Sequence, residues 1–418
     1  MQRHCGLDFG TSNSTLATAS SNAALRLLPL EDGQPTIPSI VFFDFETDRT
    51  LFGRQATAAY VDGTDGRMMR SLKSILGSQL ADEATRIKRR ILPFLDVVGM
   101  FIAALKERAE AQTEAEFDRV VVGRPVHFVD GDPVADREAQ RQLESAVQGQ
   151  GFRHIAFQYE PIAAALDYER QVTREELGLI VDLGGGTSDF SIVRVSPHRA
   201  AAPSREDDIL ATAGVHVGGT DFDRMLSLKQ VMPELGYQTP TFDGKRPLPS
   251  APYVDLATWH RINRLYTQEL LRELRHTRRE ARDPERVEKM ISIVAHREGH
   301  LLAGAVEDTK IALTLHECAS LAFAGEEVEL SLPITRAELT AAIADSIARI
   351  DDTVRVALAA AGISADRIQT LILTGGSTQV PAIMQRLRAL FPAARAVETD
   401  AFGSVGLGLA LDAARKFG

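Results

Sequence analysis

The sequence Asp-Leu-Gly-Gly-Gly-Thr-Ser-Asp at residues 182–189 has a near match, Asp-Phe-Gly-Thr-Ser-Asn-Ser, at residues 8–14. Each follows a short apolar run and precedes alternating sequence, a pattern that predicts a β-hairpin with a glycine-rich turn. Glycine lets backbone N–H groups converge on phosphate oxygens, because no Cβ blocks the approach. An aspartate at the strand end, Asp8 or Asp182, can hold Mg²⁺ through its water shell. Two such turns predict a duplicated lobe that grips one nucleotide from both sides.

A third glycine-rich turn lies near the end of the chain. Residues 371–378, Leu-Ile-Leu-Thr-Gly-Gly-Ser-Thr, predict an apolar strand that enters a turn, and Pro381 then starts a predicted helix. A helix N-terminus behind a glycine turn is suited to an anion or a ribose edge. Any one of these three turns is typical of an ordinary tight turn. The three together, in this order, indicate a nucleotide site.

This ordered set of turns resembles the superfamily of actin, the sugar kinases and the 70-kDa heat-shock ATPases. Four further segments resemble motifs of the heat-shock chaperone branch. They are residues 159–165 (its NEPTAAA helix start), 71–77 (its AKRLIG lysine segment), 122–126 (its TVPA strand) and 213–223 (its GGEDFD turn). The resemblance covers nearly the whole chain and concerns the family's N-terminal ATPase domain. It implies an α/β, two-lobed, actin-like ATPase fold, with duplicated ribonuclease-H-like subdomains and a nucleotide cleft between the lobes.

The sequence predicts the extent of the two lobes. Lobe I covers residues 1–170, with a base at 1–37 and 93–170 and a small subdomain at 38–92. Lobe II covers residues 171–418, with a base at 179–228 and 306–418 and an elaborated helical cap at 229–305. The cap is longer than the family pattern needs.

Three local predictions concern the connections within these lobes. Residues 67–88 are predicted to be mostly helical, and five prolines within 233–258 predict a long surface loop. A helix is predicted over 336–361, since Thr335 and Glu338 match a capping box and Gly362 supplies a stop.

Composition limits the classes of partner. The chain of 418 residues carries 57 acidic and 47 basic side chains, a net charge of −10, which argues against nucleic acid or an acidic membrane as a partner. Cys5 and Cys318 are too few for a disulfide framework, and both are predicted to be buried in a reducing compartment. The sequence shows neither a signal-type apolar stretch after Met1 nor an apolar run of about 20 residues. We therefore expect a cytoplasmic protein.

The phosphate site combines both hairpin turns with residues that the resemblance adds. The amides of the two turns are expected to donate to the β- and γ-phosphates; the candidates are Gly10, Thr11, Ser12, Asn13, Gly184, Gly185 and Gly186. Asp8 and Asp182 are expected to share the Mg²⁺ water shell. By resemblance, Lys73 lies beside the γ-phosphate, where it neutralises developing charge and orients the attacking water.

Other polar residues in these motifs have two interpretations each. Glu160 either acts through Mg²⁺-bound water or only starts the helix before Pro161. Thr11 and Thr187 either contact the γ-phosphate or stabilise their turns through hydrogen bonds. Asp189 either contacts the attacking water or stabilises its turn in the same way. The residues alone leave these alternatives open.

The resemblance also implies which residues contact the nucleoside. The sugar and base are expected to contact Gly218, Gly219, Gly375, Gly376 and Ser377, with Glu307 and Lys310 at the ribose and Thr314 at the base. Two departures from the family pattern flank the base, because Ile311 and Gln379 stand where the family has arginines. The loss of two guanidiniums predicts weaker ATP binding.

The sequence gives little support to motifs of other functional classes. The sequence contains no Gly-x-x-x-x-Gly-Lys loop, which excludes a P-loop NTPase. His296 and His300 have a metal-compatible i, i+4 spacing, but the glutamate between them is misplaced for a zinc-protease motif and a third ligand is not evident. A polar helix face is the favoured interpretation of these two histidines.

The sequence leaves three function classes. The favoured one is a heat-shock-like ATPase that hydrolyses Mg-ATP slowly and acts as a nucleotide-dependent switch or accessory chaperone with a client, co-chaperone or exchange factor. The last predicted helix, 406–417, ends this sequence, and the acidic-aliphatic linker of the heat-shock chaperones does not follow it. We therefore expect an ATPase without its own peptide-binding domain. The alternatives are a small-molecule kinase for a sugar or acid and an actin-like filament former.

Overall fold

The computed structural model describes residues 3–20, 23–129, 131–169, 172–199, 202, 204–398 and 403–418. The strands in chain order are β1 (Arg3–Phe9), β2 (Asn13–Ser20), β3 (Ala23–Leu27), β4 (Thr36–Pro38), β5 (Ile40–Asp44), β6 (Thr50–Phe52), β7 (Gly66–Arg70), β8 (Ala84–Ile87), β9 (Arg90–Pro93), β10 (Phe117–Arg124), β11 (His154–Tyr159), β12 (Glu176–Leu183), β13 (Ser188–Val195), β14 (Ile209–Val215), β15 (Cys318–Ala324), β16 (Glu329–Thr335), β17 (Thr370–Thr374) and β18 (Arg395–Glu398). The α-helices are α1 (Gly53–Val61), α2 (Phe94–Thr113), α3 (Pro133–Gln148), α4 (Glu160–Glu169), α5 (Gly219–Leu226), α6 (Ala251–Leu256), α7 (Gln268–Glu280), α8 (Pro284–Ala295), α9 (Gly299–Leu315), α10 (Arg336–Ala342), α11 (Ala344–Ala361), α12 (Pro381–Leu390) and α13 (Ser404–Phe417).

Both predicted hairpins form, and each lies at the centre of a sheet. The first sheet has the order β11-β10-β1-β2-β3, with β4 paired to β2, and the second has the order β14-β13-β12-β17-β18. In each sheet the first strand of the hairpin also pairs in parallel with a later strand, β10 or β17, and the second strand pairs in antiparallel with the next one. The strand order and directions therefore repeat from one sheet to the other. This repeat confirms the prediction of a duplicated, two-lobed α/β fold.

Apolar residues form one core for each sheet and a third layer between the sheets. The middle layer contains Ala163 of α4 and Leu409 of α13 together with Ile180 and Val193 of the second sheet. Glycines allow the close packing of α13, since a Cβ on Gly408 would lie 1.8 Å from the Ala163 carbonyl oxygen. The two base subdomains are thus held together by α4 and α13.

The helix α13 contacts the first sheet. Its neighbours include β1, β2 and β10, although the sequence boundaries assign residues 404–417 to lobe II. Those boundaries remain a proposal, and the predicted division at residues 170 and 171 lies outside the described residues.

The prediction of helix over residues 67–88 is wrong. This segment contains β7, two short 3₁₀ helices (Leu72–Ile75 and Gln79–Asp82) and β8. The strand β7 pairs in antiparallel with β5, and β8 pairs with β9. For β7, pairing with β5, which lies well before it in the sequence, outweighs the local preference, whereas β8 and β9 form a local hairpin that the prediction of helix missed.

Two further predictions are corrected in lobe II. The helix predicted over 336–361 has the expected capping box at Thr335, but it is interrupted at Ile343 (φ −97°, ψ 10°). The break lets α10 contact α5 and α9 while α11 covers β13 and β14. The loop predicted over 233–258 includes the helix α6, whose Tyr253 and Leu256 are buried in the core.

The two cysteines differ in their surroundings. Cys5 is buried as predicted, whereas Cys318 is exposed at the start of β15, so that prediction is wrong for Cys318. Side chains alternate between exposed and buried along β15, and Cys318 falls on the outer face. Among the described helices, none has the length and apolar character needed to span a membrane.

Candidate nucleotide site

The turns of the two hairpins meet. A Cβ on Gly185 in the second turn would lie 2.8 Å from the Ser12 hydroxyl in the first. Ser39 stabilises the first turn through two hydrogen bonds. Its N–H donates to the Ser12 carbonyl (2.8 Å), and its hydroxyl donates to the Gly10 carbonyl (2.7 Å). In the second turn the Gly184 N–H donates to the Thr187 carbonyl (2.9 Å), so this amide is already used within the turn.

The segment that precedes α5 lies directly on the second turn. The N–H groups of Gly219 and Thr220 donate to the carbonyls of Gly184 (3.0 Å) and Gly185 (2.8 Å). A Cβ on Gly218 would lie 2.5 Å from the backbone of Gly185 and Gly186. Only glycine permits this approach, since two backbones meet there and neither can move aside like a flexible side chain.

Gly218→Ala should therefore lower the free energy of unfolding by roughly 1–3 kcal/mol, the usual cost of overpacking. Gly186→Ala is the matched control, because a Cβ on Gly186 would meet nothing within 4 Å and its backbone φ is not in the left-handed region. Urea unfolding followed by circular dichroism measures both. Equal stability of the two variants would contradict this packing.

The third glycine turn completes the group. Gly375 has φ +81°, and a Cβ there would lie 2.3 Å from the Leu183 carbonyl oxygen at the end of β12. Gly376 begins a 3₁₀ helix over Gly376–Gln379, and the Ser377 hydroxyl donates to the Gly184 carbonyl (3.1 Å). All three predicted turns thus lie in one place, as do Gly218 and Gly219.

Charged side chains from four segments converge beside the turns. Asp8 and Asp182 are the penultimate residues of β1 and β12, and Glu160 is the first residue of α4. Lys73 comes from the 3₁₀ helix Leu72–Ile75, which is anchored by the buried side chains of its two terminal residues. Lys73 forms an ion pair with Glu160, and these side chains are only 10% and 16% exposed.

One lysine faces three carboxylates in this cluster. Burial, with a further contribution from Glu160, raises the pKa of Asp8 to about 7. Burial, with Asp189, Glu160 and Asp8, raises the pKa of Asp182 to about 8. Burial lowers the pKa of Lys73, but Glu160, Asp8 and Asp182 outweigh it and the net shift is upward. The centre therefore has more negative charge than Lys73 alone balances.

A cavity of about 180 Å³ adjoins these carboxylates. Lobe I contributes Pro125, His127 and Glu160 to its wall, and lobe II contributes Asp182 and Asp189. Asp189 lies opposite Asp182 in the hairpin register, with its side chain toward Gly214 of β14. Its walls also include the apolar side chains of Val126, Pro161 and Ile180, and it has room for several water molecules.

The residues predicted for the nucleoside form a second group. Lys310 of α9 is buried and forms an ion pair with Asp223 of α5 (2.8 Å). A Cβ on Gly219 would lie 2.7 Å from the Ser377 hydroxyl and 3.7 Å from Lys310 Nζ, so these three residues converge. Burial raises the pKa of Asp223 to about 6, although Lys310 opposes the shift. Glu307 is exposed one turn before Lys310 on the same helix.

The remaining predicted base contacts lie further along α9 and after the third turn. The Thr314 hydroxyl donates to the Ile311 carbonyl within the helix (2.7 Å). Ile311 is 52% exposed, which is unusual for an isoleucine on a packed helix, and Gln379 is exposed as well. Both departures from the family pattern are thus at the surface, where a base could contact them.

Sequence reasoning missed two residues of this site. Ser39 bonds to both ends of the first turn, and nothing local in its sequence signals that role. Asp223 falls within the 213–223 motif but was not assigned a role, and it holds Lys310. A buried lysine requires an anionic partner. The need for a partner to Lys310 was therefore the signal that could have identified Asp223.

The two histidines at i, i+4 spacing do not share a polar face. His300 is 4% exposed and packs between the rings of Tyr60 and Trp259, so the predicted polar face is wrong for this residue. His296 lies near Ser292 and Glu326. In the described ranges, no group of three or more His, Cys, Asp or Glu side chains is arranged to hold a metal directly.

Sequence comparisons agree with this fold. A profile of the family described as Hsp70 protein matches residues 94–233 and 276–416, which together make up more than half of the chain. The chain therefore belongs to the Hsp70 family, whose two-lobed actin-like ATPase fold the duplicated sheets display.

The individual relatives that match the chain are named as chaperones. The chain is 28% identical over 434 aligned positions to the chaperone protein HscA of Serratia proteamaculans, with 98% of this chain and 57% of the relative covered. It is 27% identical to HscA of Citrobacter koseri and 26% identical to HscA of Escherichia coli, each with 97% and 57% covered. The chain thus spans little more than half the length of these relatives.

Proposed function

We propose that this protein binds Mg-ATP between its two hairpin turns and hydrolyses it slowly, as a nucleotide-dependent switch of the heat-shock chaperone type. The observation that carries the proposal is the convergence of Asp8, Asp182, Glu160 and Lys73 beside two glycine turns that touch each other. Each lobe supplies one turn and one strand-end aspartate. A ligand held by both turns would hold the lobes together, and its loss would release them.

The residues of the cluster suit a site for Mg²⁺ held through water. Burial, together with the charge of neighbouring carboxylates, raises the pKa values of Asp8 and Asp182, and a bound divalent cation relieves this condition. Their arrangement does not offer direct coordination by three or more side chains within the described residues. Bound there, Mg²⁺ would neutralise charge on the β- and γ-phosphates.

Hydrolysis then requires positioning of a water and neutralisation of charge, with little covalent chemistry. Lys73 is fixed by Glu160 and brings its ammonium to the carboxylate cluster, where it would stabilise charge that develops on the γ-phosphate. Asp189 lines the adjoining cavity and would accept a hydrogen bond from the attacking water. Thr11 and Thr187 lie in the turns and would contact the γ-phosphate.

The family and the net charge support a proposal for the partner. A protein client, co-chaperone or exchange factor is the proposed partner, since the HscA relatives carry the name chaperone. The net charge of −10 argues against nucleic acid. The cytoplasmic location remains a prediction from the sequence.

Release of phosphate with and without small acceptors tests this function. The switch predicts slow phosphate release that sugars and small acids leave unchanged. Turnover that depends on an acceptor would instead support the kinase alternative. Sedimentation that depends on ATP would support a filament former.

A separate prediction concerns the affinity for ATP and the residues expected to contact its base. Each missing guanidinium costs roughly 0.5–2 kcal/mol of stacking and cation–π energy, so ATP should bind more weakly than low-micromolar. Ile311→Arg should tighten ATP binding by about 2- to 30-fold, measured by calorimetry. The matched control is Leu315→Arg, one turn further along α9 and 79% exposed, which should change little. Tight binding by the wild-type protein, or an equal gain from the control, would contradict this role.

A further inference from the structure

An open hollow of about 560 Å³ lies between β7 and the 3₁₀ helix Trp259–Leu265. Arg67 and Arg70 of β7 line one side of it, and His260 lines the other. The charges of three further arginines act on His260 as well. We call the group the arginine hollow, and its members are Arg67, Arg70, Arg224, Arg261, Arg264 and His260.

Arg70 is half-buried, and no carboxylate pairs with it in the part of the chain that the structure describes. Its guanidinium lies over the Trp259 ring, 4.9 Å from the ring centre. Burial lowers the pKa of Arg70, and the group that opposes this shift is Tyr60. Burial also raises the pKa of Tyr60, so this phenol has no charge at neutral pH. A guanidinium taken partly out of water without a counter-charge costs free energy that a bound anion would recover.

The other arginines of the hollow are also poorly balanced by carboxylates. Arg67 and Arg264 are exposed and form no ion pair with any described residue. The remaining two make long pairs with partly exposed carboxylates, and such pairs contribute little. These pairs are Arg224 with Asp221 (3.5 Å) and Arg261 with Asp255 (3.6 Å).

The surroundings of His260 show the sign of the local charge. Burial lowers the pKa of His260, and the four largest charge contributions lower it further. All four come from arginines, in the order Arg70, Arg261, Arg264 and Arg224. The hollow is therefore positive in a chain whose net charge is −10. A concave surface lined by one sign of charge concentrates ligands of the opposite sign.

The chemistry of the hollow indicates which anion it suits. The guanidinium fork matches two oxygens of a phosphate group, and several guanidiniums together favour an anion with more than one such group. A volume of about 560 Å³ lies in the usual range of small-molecule sites. The cavity beside Asp182 shares no lining residue with the hollow, so the two are separate.

We propose that the arginine hollow binds a small soluble anion that carries two or more phosphate groups. This inference goes beyond the proposed function and does not depend on it, because neither the hollow nor its test involves a nucleotide.

Titration with inorganic tripolyphosphate in Mg²⁺-free buffer tests the proposal. Trp259 is the only tryptophan of the chain and contacts Arg70, so its fluorescence should change in a saturable way as the anion binds. Sodium sulfate at the same ionic strength should not reproduce this change. Calorimetry on the same protein should give one tripolyphosphate per chain.

Variants locate the bound anion. Arg70→Gln should weaken tripolyphosphate binding by about 10-fold or more in calorimetry, because a charged hydrogen bond is lost. Arg67→Gln should weaken it as well without affecting folding, since Arg67 is exposed and forms no ion pair with any described residue. Arg275→Gln is the matched control, because it removes the same charge from an exposed position on α7, and it should change binding by less than about 2-fold.

Three results would overturn the arginine hollow. They are absence of saturable binding by the wild-type protein, equal weakening in Arg67→Gln and Arg275→Gln, and loss of binding in Lys73→Ala but not in Arg70→Gln. The last result would place the anion at the hairpin turns. None of the three bears on whether the protein binds Mg-ATP, which the ADP titration measures separately.

Discussion

Lys73→Ala should reduce ATP turnover by about 100-fold or more, the usual cost of removing one group that stabilises transition-state charge. Lys73 is the cation that the described contacts place among Asp8, Glu160 and Asp182. Its loss removes the positive charge nearest the expected γ-phosphate. Single-turnover phosphate release, measured with saturating Mg-ATP, reports this step without interference from product release.

Loss of Lys73 also leaves Glu160 without its partner, which lowers stability and could imitate a catalytic defect. The double variant Lys73→Ala, Glu160→Gln restores the balance of charge, and it should fold as well as wild type yet remain inactive. Lys88→Ala is the control for removal of a lysine, because Lys88 makes only an exposed pair with Asp48 (3.0 Å). Retention of most activity by Lys73→Ala would assign the chemistry to other residues.

Asp182→Asn should reduce turnover by a similar factor of about 100 while making the nucleotide-free protein more stable at alkaline pH. The pKa of Asp182 is raised from 3.8 to about 8 in the folded protein. Between these pH values the folded state binds more protons than the unfolded state, so the free energy of unfolding falls as pH rises from about 4 to about 8. Asparagine has no such charge to bury, so the variant avoids this loss.

The stability gain should exceed about 1 kcal/mol near pH 8.5 and disappear near pH 4, as measured by urea unfolding. Asp243→Asn is the control, because its carboxylate is exposed and hydrogen bonds from the Thr241 hydroxyl and the Lys245 N–H hold its pKa below the ordinary value. That variant should lose slight stability above pH 4 and keep full turnover. A loss of stability in Asp182→Asn at alkaline pH would contradict the electrostatics of the site.

The hairpins could be predicted because their signals are local. An apolar strand, a glycine turn and an alternating strand lie within about 20 residues, and the repetition of the pattern at residues 8 and 182 predicted the duplication. The third turn and the helix after Pro381 were predicted for the same reason. Lys73 was assigned only by resemblance, since nothing around it distinguishes it from a surface lysine.

What could not be predicted depends on contacts between distant segments. The strand β7 forms because the distant β5 pairs with it, whereas β8 and β9 form a local hairpin that the prediction of helix missed. The helix α13 packs against the first sheet because glycines on both sides allow it. The rings of Tyr60, Trp259 and His300 pack together, whereas the spacing of His296 and His300 pointed instead to a helix face or a metal.

Calorimetric titration with ADP, with and without Mg²⁺, tests the central claim most directly. If both hairpin turns grip one Mg-nucleotide, one ADP should bind per chain, and removal of Mg²⁺ with a chelator should weaken binding by about 10-fold or more. The same titration on Asp182→Asn should resemble the Mg²⁺-free wild type. Absence of binding, or binding that neither Mg²⁺ nor Asp182 affects, would show that the converging turns and carboxylates do not form a nucleotide site.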